Sequence, residues 1–156
     1  MRKITALLIC MLFLFSCAAA EQEVLLPGDR YAVDVPDWMD YSDPVDGTAG
    51  VDAYVSKDLE MDYFSYLKTD AVQLGMADTL RGTAEERAAS GADVELRKVN
   101  GIEMLCFRLI DEEDGAPCIG YVFEDGDMLI EIDFWYATQE AADETKAIME
   151  TIRMKE

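Results

Sequence analysis

Between Asp93 and Tyr136 the sequence DVELRKVNGIEMLCFRLIDEEDGAPCIGYVFEDGDMLIEIDFWY holds four apolar runs separated by three turn signals, and no other feature narrows the fold as much. Asn100-Gly101 is a strong hairpin signal, because both central residues of a type I′ turn need positive φ, which Asn and Gly tolerate. Asp125-Gly126 repeats the device, and Asp111 to Ala116 (DEEDGA) is a longer polar connection with a glycine near its end. The block reads as an antiparallel meander.

The remaining segments fit around it as one domain of 29–156. Arg30 to Val35 alternates Tyr31, Val33 and Val35 against Arg30, Ala32 and Asp34, the period of a half-buried strand, and Pro36 ends it. Asp37 to Gly50 is rich in turn formers; Trp38 is expected to fold back over one end of the sheet, with an exposed binding surface at Trp38 and Tyr41 as the alternative. Val51 to Ser56 and Leu59 to Leu67 read as strands, although Tyr63, Tyr66 and Leu67 also fit helical spacing. A helix is predicted from about Ala77 to Ser90, with Leu80, Ala84, Arg87 and Ala88 on one stripe and Thr83-Ala84-Glu85-Glu86 at capping-box spacing. Gly82 weakens that helix and allows a start as late as Thr83. After the meander, Thr138 is an N-cap for an amphipathic helix carrying Ala141, Thr145, Ile148 and Ile152, whose apolar stripe must lie on the sheet. The fold class is α+β, an antiparallel sheet with a C-terminal meander flanked by helices.

The N-terminus carries an address. Met1-Arg2-Lys3 is a positive n-region, and the 12 residues from Ile4 to Phe15 are apolar apart from Thr5, the length of a signal peptide and too short to span a bilayer. Leu14-Phe15-Ser16-Cys17 follows at its end. It resembles the lipobox of bacterial lipoproteins, in which cleavage precedes a cysteine that is then acylated, with Phe15 bulkier than the usual small residue. The reading is a signal peptide of 1–16, a lipid anchor at Cys17 and a tether over 17–28; cleavage after Ala18-Ala19-Ala20, giving a secreted protein, is the alternative. Either way the domain lies outside the cytoplasm.

Composition excludes several functions. The 156 residues contain 13 basic and 33 acidic residues, a formal net charge of −20, and loss of residues 1–16 removes two basic residues and no acid. Such a surface repels nucleic acid and anionic lipid, so contact with a membrane is expected through the lipid anchor only. The chain has no histidine, which removes Ser-His-Asp and Cys-His units and HExxH zinc sites. No cofactor motif is present.

Four groups of residues remain as candidates. Asp34, Asp37, Asp40, Asp43 and Asp46 recur every third residue before Gly47, a set that could supply weak calcium ligands through Asp37, Asp40, Asp43 and Asp46 but fails the EF-hand spacing; a solvated acidic loop is favoured. The turns Asp111-Glu112-Glu113-Asp114 and Glu124-Asp125-Gly126-Asp127 are expected to be solvated too. Cys106 and Cys118 could form a disulfide if Ile110 stands opposite Asp114, or be two separate buried thiols. Glu131 and Asp133 share one face of the last strand; in a cleft one of them would have the raised pKa of a general acid, whereas on a wet sheet face they are ordinary outward residues, the reading favoured here.

The order of elements, with Val35-Pro36-Asp37-Trp38, Val99-Asn100-Gly101 and the closing strand-helix pair, resembles the α/β/α sandwich shared by the photosystem protein PsbP and the nuclear-transport factor Mog, from Tyr31 to Ile152. It also resembles small lipoproteins that gut bacteria export. The PsbP/Mog-like resemblance implies a binding or assembly module acting on a protein or envelope component. A carboxylate-based hydrolase acting on envelope or dietary polymers is the alternative.

Overall fold

A computed structural model of the chain describes residues 21–42, 51–113 and 115–155. The strands are β1 (Glu21–Leu25), β2 (Tyr31–Pro36), β3 (Asp40–Ser42), β4 (Val51–Val55), β5 (Leu59–Leu67), β6 (Asp93–Val99), β7 (Ile102–Ile110), β8 (Pro117–Asp125), β9 (Met128–Tyr136) and β10 (Arg153–Met154). The helices are α1 (Lys68–Gln73), α2 (Leu80–Ala89) and α3 (Gln139–Glu150). A seven-stranded antiparallel sheet runs β3-β4-β5-β9-β8-β7-β6, and a three-stranded sheet runs β1-β2-β10.

The predicted meander is the half of the large sheet from β9 to β6. Val99 pairs with Ile102 across Asn100 (φ 48°) and Gly101 (φ 84°), the positive pair that the type I′ turn requires. Asn100 does a second job: its Nδ2 donates to the carbonyls of Glu150 (2.6 Å) and Ile152 (3.0 Å), tying the turn to the end of α3. In the β8–β9 hairpin Asp125 pairs with Met128, so the central residues are Gly126 and Asp127 rather than Asp125 and Gly126. Glu124 and Asp127 are exposed, as expected of a solvated turn, but Asp125 is not. Asp125 is buried beneath Arg30, and Glu124 accepts from Lys68 Nζ (2.7 Å) and from the first N–H of α2 at Leu80 (3.1 Å).

One face of the large sheet presents Met61, Tyr63, Met104, Tyr121, Phe123, Ile130, Ile132 and Phe134, and the small sheet and α3 cover it with Val33, Val35, Ile148 and Met149. Each of these large side chains contributes roughly 1.5–3 kcal/mol by leaving water. The other face presents Leu105, Phe107, Cys118, Val122 and Leu129, and α2 covers it with Leu80 and Ala84. This is the α/β/α layering expected, with a small sheet sharing one outer layer with α3.

Several local expectations change. Glu21–Leu25, expected within a tether, is a strand paired with β2, Glu21 standing opposite Pro36. Trp38 does not close the sheet end: it is 48% exposed, and its neighbour Met39 is the buried residue. The cap of α2 is Thr79, whose Oγ1 accepts from Gly82 N (3.2 Å), rather than Thr83, which is buried in the stripe while Ala88 faces solvent. Gly82 is required there, since a Cβ would stand 2.8 Å from that of Ala77. The closing helix starts as predicted, Thr138 Oγ1 accepting from Ala141 N (3.2 Å). It stops at Glu150, and the chain turns into β10, where Arg153 donates to both Asp34 oxygens (2.9 and 2.7 Å).

Candidate functional site

The carboxylates of β9 are not ordinary outward residues: Glu131 is buried and Asp133 half-buried. Their face of the sheet lies under α2, and Glu131 is 2% exposed. An arginine on the buried side of a helix needs a partner, and Arg87 finds it in Glu131, with its guanidinium carbon 4.6 Å from the centre of the Phe107 ring. Strand register sets Asp62 opposite Asp133 and Gly120 on the other side of Asp133, with Phe107 opposite Gly120. Gly120 lets this row close up: a Cβ there would stand 2.0 Å from Phe107 Cζ and 2.6 Å from Asp133 Oδ1.

Three acids therefore share one poorly hydrated space, and their environments push them apart. Burial raises Glu131, and Arg87 pulls it back toward ionisation. Asp133 has no such contact; burial first, and then the charge of Glu131, raise it to about 8, and its buried Oδ1 accepts no hydrogen bond among the described residues. Asp62 is raised to about 6, by burial and then by Glu60, against a hydrogen bond from Trp135. At neutral pH the raised value of Asp133 holds a proton there, while at Glu131 the Arg87 guanidinium opposes the effect of burial.

The second candidate is a groove of about 420 Å³ lined by Trp38, Lys57, Leu59, Thr138, Ala141 and Glu144. Trp38 stands on a turn closed by Met39 N donating to Pro36 O (3.0 Å), and Gln22 Nε2 donates to Met39 O (2.8 Å), which fixes the turn against β1. Tyr41 lies outside the groove lining; its hydroxyl donates to Asp52 (2.8 Å) and its ring packs edge-on to Tyr54 at 5.6 Å. The structure does not join the two aromatics into one surface.

The thiols are not bridged. Ile110 pairs with Pro117, so Cys106 stands opposite Tyr121 and Cys118 opposite Leu109, which sends the two side chains to opposite faces of the sheet. Of the calcium candidates, Asp37 and Asp40 are exposed, and Asp43 and Asp46 lie outside the described residues; no metal-binding cluster of His, Cys, Asp or Glu occurs among the described residues. Cys17 also lies outside them. Asp62 and Gly120 were not singled out from sequence, although a glycine interrupting an apolar strand signals a close approach of another group.

No known protein family and no curated protein matches the sequence. Solved structures do match the fold. One from Bacteroides thetaiotaomicron VPI-5482 has a TM-score of 0.58 at 14% identity, over 86% of this chain and 48% of its own, so that this chain spans about half its length. The cyanobacterial PsbP (CyanoP) of Synechocystis sp. PCC 6803 has a TM-score of 0.52 at 18% identity, over 90% of this chain and 96% of its own. The Ran-binding protein Mog1p of Saccharomyces cerevisiae has a TM-score of 0.53 at 11% identity, over 87% and 96%. The fold is thus PsbP/Mog-like, as the order of elements implied.

Proposed function

We propose that the protein is an exported, lipid-anchored binding or assembly module that works at the bacterial cell membrane, with the Trp38 groove as its docking surface. The observation that carries this reading is the half-exposed Trp38, fixed on a turn beside a groove with apolar walls, in a chain whose other large rings mostly pack inward. The likeness to PsbP and Mog1p supports a binding or assembly module, and Mog1p, a Ran-binding protein, supports a protein as what is bound. The lipobox-like Leu14-Phe15-Ser16-Cys17 supports the anchor. Because β1 already begins at Glu21, an acylated Cys17 would stand within about 14 Å of the fold along an extended chain. Glu21 pairs with Pro36, so the groove's turn lies at the strand end nearest that anchor.

Two measurements test this. Cys17→Ala moves the protein from the membrane fraction to the medium; an unchanged membrane fraction overturns the anchor. A photocrosslinker at Trp38, in cells, gives a discrete adduct that the same group at exposed Glu85 does not. Equal labelling at both positions overturns the docking surface.

A second reading, a carboxylate-based hydrolase of envelope or dietary polymers, draws on the proton held by Asp133 at neutral pH beside half-buried Asp62. Release of fragments from envelope glycans, lost in Asp133→Asn, would support it, and the absence of release would remove it.

A further inference from the structure

On the face opposite the buried acids, the cover formed by the small sheet and α3 stops short of the β6 edge. It leaves a cleft of about 560 Å³ between α3 and strands β6 to β8, within the ordinary range for small-molecule sites. Arg97 lies in its floor. Most basic side chains in this acidic chain contact a carboxylate, for example Arg30 with Asp125, Arg87 with Glu131 and Arg153 with Asp34. Arg97 does not among the described residues: its Nε donates to Cys106 Sγ (3.0 Å) and its Nη2 to Tyr121 Oη (3.3 Å). A guanidinium has five N–H donors in a rigid fork, so about three remain for another partner.

The fork is held in place by a buried relay. The Tyr121 hydroxyl interacts in turn with the Thr145 side chain, and Thr145 Oγ1 donates to the Ala142 carbonyl (2.8 Å); Tyr121 is 2% and Thr145 1% exposed. Arg108 and Lys146 also line the cleft. Their own acid partners are distant and exposed, Asp93 at 3.8 Å from Arg108 and Glu150 at 3.6 Å from Lys146, contacts that an incoming anion can displace at little cost. Asp143, the acid of the lining, is engaged by Gln139 Nε2 at 3.0 Å. Ile119, Tyr136 and Ala142 make an apolar wall.

We infer that this cleft binds a small organic oxyanion, a phosphate monoester or a carboxylate, its charged group on Arg97, Arg108 and Lys146 and its apolar body on Ile119 and Tyr136. The surrounding charge, −20 over the chain, repels anions in general, so only a ligand that reaches the Arg97 fork is held. The inference depends neither on the anchor nor on the Trp38 groove.

The test is a titration followed by NMR, on the amide and arginine Nε resonances, with phenyl phosphate, benzoate and inorganic phosphate at constant ionic strength. Saturable shifts are expected at Arg97, on β6 to β8 and on the first turns of α3, with phenyl phosphate or benzoate binding about tenfold tighter than inorganic phosphate. Whichever of the two organic anions binds tighter names the source of the oxyanion. Arg97→Gln should weaken binding about tenfold and Lys146→Gln about threefold, while Arg81→Gln on α2 changes nothing. If Arg97→Gln does not fold, the Arg108→Gln/Lys146→Gln pair carries the test, with an expected loss of about tenfold. Shifts that do not saturate, that spread evenly over all basic residues, or that persist unchanged in these variants overturn the inference.

Discussion

Arg87 and Arg97 approach the seven-stranded sheet from opposite faces, and their surroundings differ in one respect that decides what each can do. Arg87 descends from α2 onto Phe107 and meets Glu131, a carboxylate almost wholly removed from water. Arg97 rises from β6 and meets a thiol and a phenol, which orient its fork without neutralising it. Burying an ion pair makes each partner necessary to the other, since loss of one strands the other's charge in a low-dielectric space. Fixing a cation with neutral groups leaves the charge available. The first arrangement belongs to stability and the second to binding.

That contrast can be broken by substitution. Replacement of Arg87 by Leu should cost about 3–5 kcal/mol in urea unfolding, because Glu131 is left buried and unpaired. The double replacement Arg87→Leu/Glu131→Leu should recover much of it; if the single variant loses less than about 1 kcal/mol, the pair is not structural. Gly120→Ala comes next, at about 2–3 kcal/mol by the same measurement, since the new methyl group must displace Phe107 from the layer beneath Arg87. A wild-type midpoint in this variant would mean that the ring has room to move.

The neighbouring acids Asp133 and Asp62 give a pH signature of opposite sign to that of ordinary salt-bridged carboxylates. Folding raises Asp133 from 3.8 to about 8 and Asp62 to about 6, so the folded state binds protons more tightly than the unfolded one. Their contribution is fully present below the unfolded value and is lost as pH rises through about 6 and then about 8. Asp133→Asn should raise stability at pH about 9 by roughly 1–2 kcal/mol and leave it near wild type at pH about 4, whereas Glu112→Gln in an exposed loop should do neither. A gain of equal size at both pH values would contradict a protonated Asp133. Smallest of all, Arg97→Gln should change stability by less than about 1 kcal/mol. A loss as large as that of Arg87→Leu would erase the distinction between the two arginines.

The meander was legible because its signals are local: Asn100 and Gly101 need only each other to define a turn, and apolar runs of nine residues declare strands. The helix over Gln139 to Glu150 was legible for the same reason, through the Thr138 cap and one apolar stripe. What escaped was set by partners distant in sequence. Glu21 to Leu25 has the polarity of a tether and becomes a strand because β2 offers it an edge. Glu131 and Asp133 alternate as a wet face would; Glu131 is buried under Arg87 of α2, and Asp133 is half-buried in the crowded row beside Gly120. A stripe containing Leu80, Ala84 and Arg87 already implied a buried cation, and hence a buried acid somewhere on the sheet. Cys106 and Cys118 turned on register, which a loop of uncertain tightness could not fix. Arg97 gave no signal at all, because its significance lies in the carboxylate it lacks.

The small sheet has a consequence in time. Strand β2 has β1 on one side and β10 on the other, and the Asp34–Arg153 contact spans 119 positions. A chain made from its N-terminus can form the β1–β2 hairpin early, but that hairpin gains its second neighbour only after every other described strand and helix has been made. Until then β2 keeps an open edge and the large sheet's apolar face lacks its cover, a window in which pairing with another chain competes with closure. Closure of β2 on that side therefore joins segments far apart in sequence, and the bidentate Arg153–Asp34 contact is the latch that holds them together.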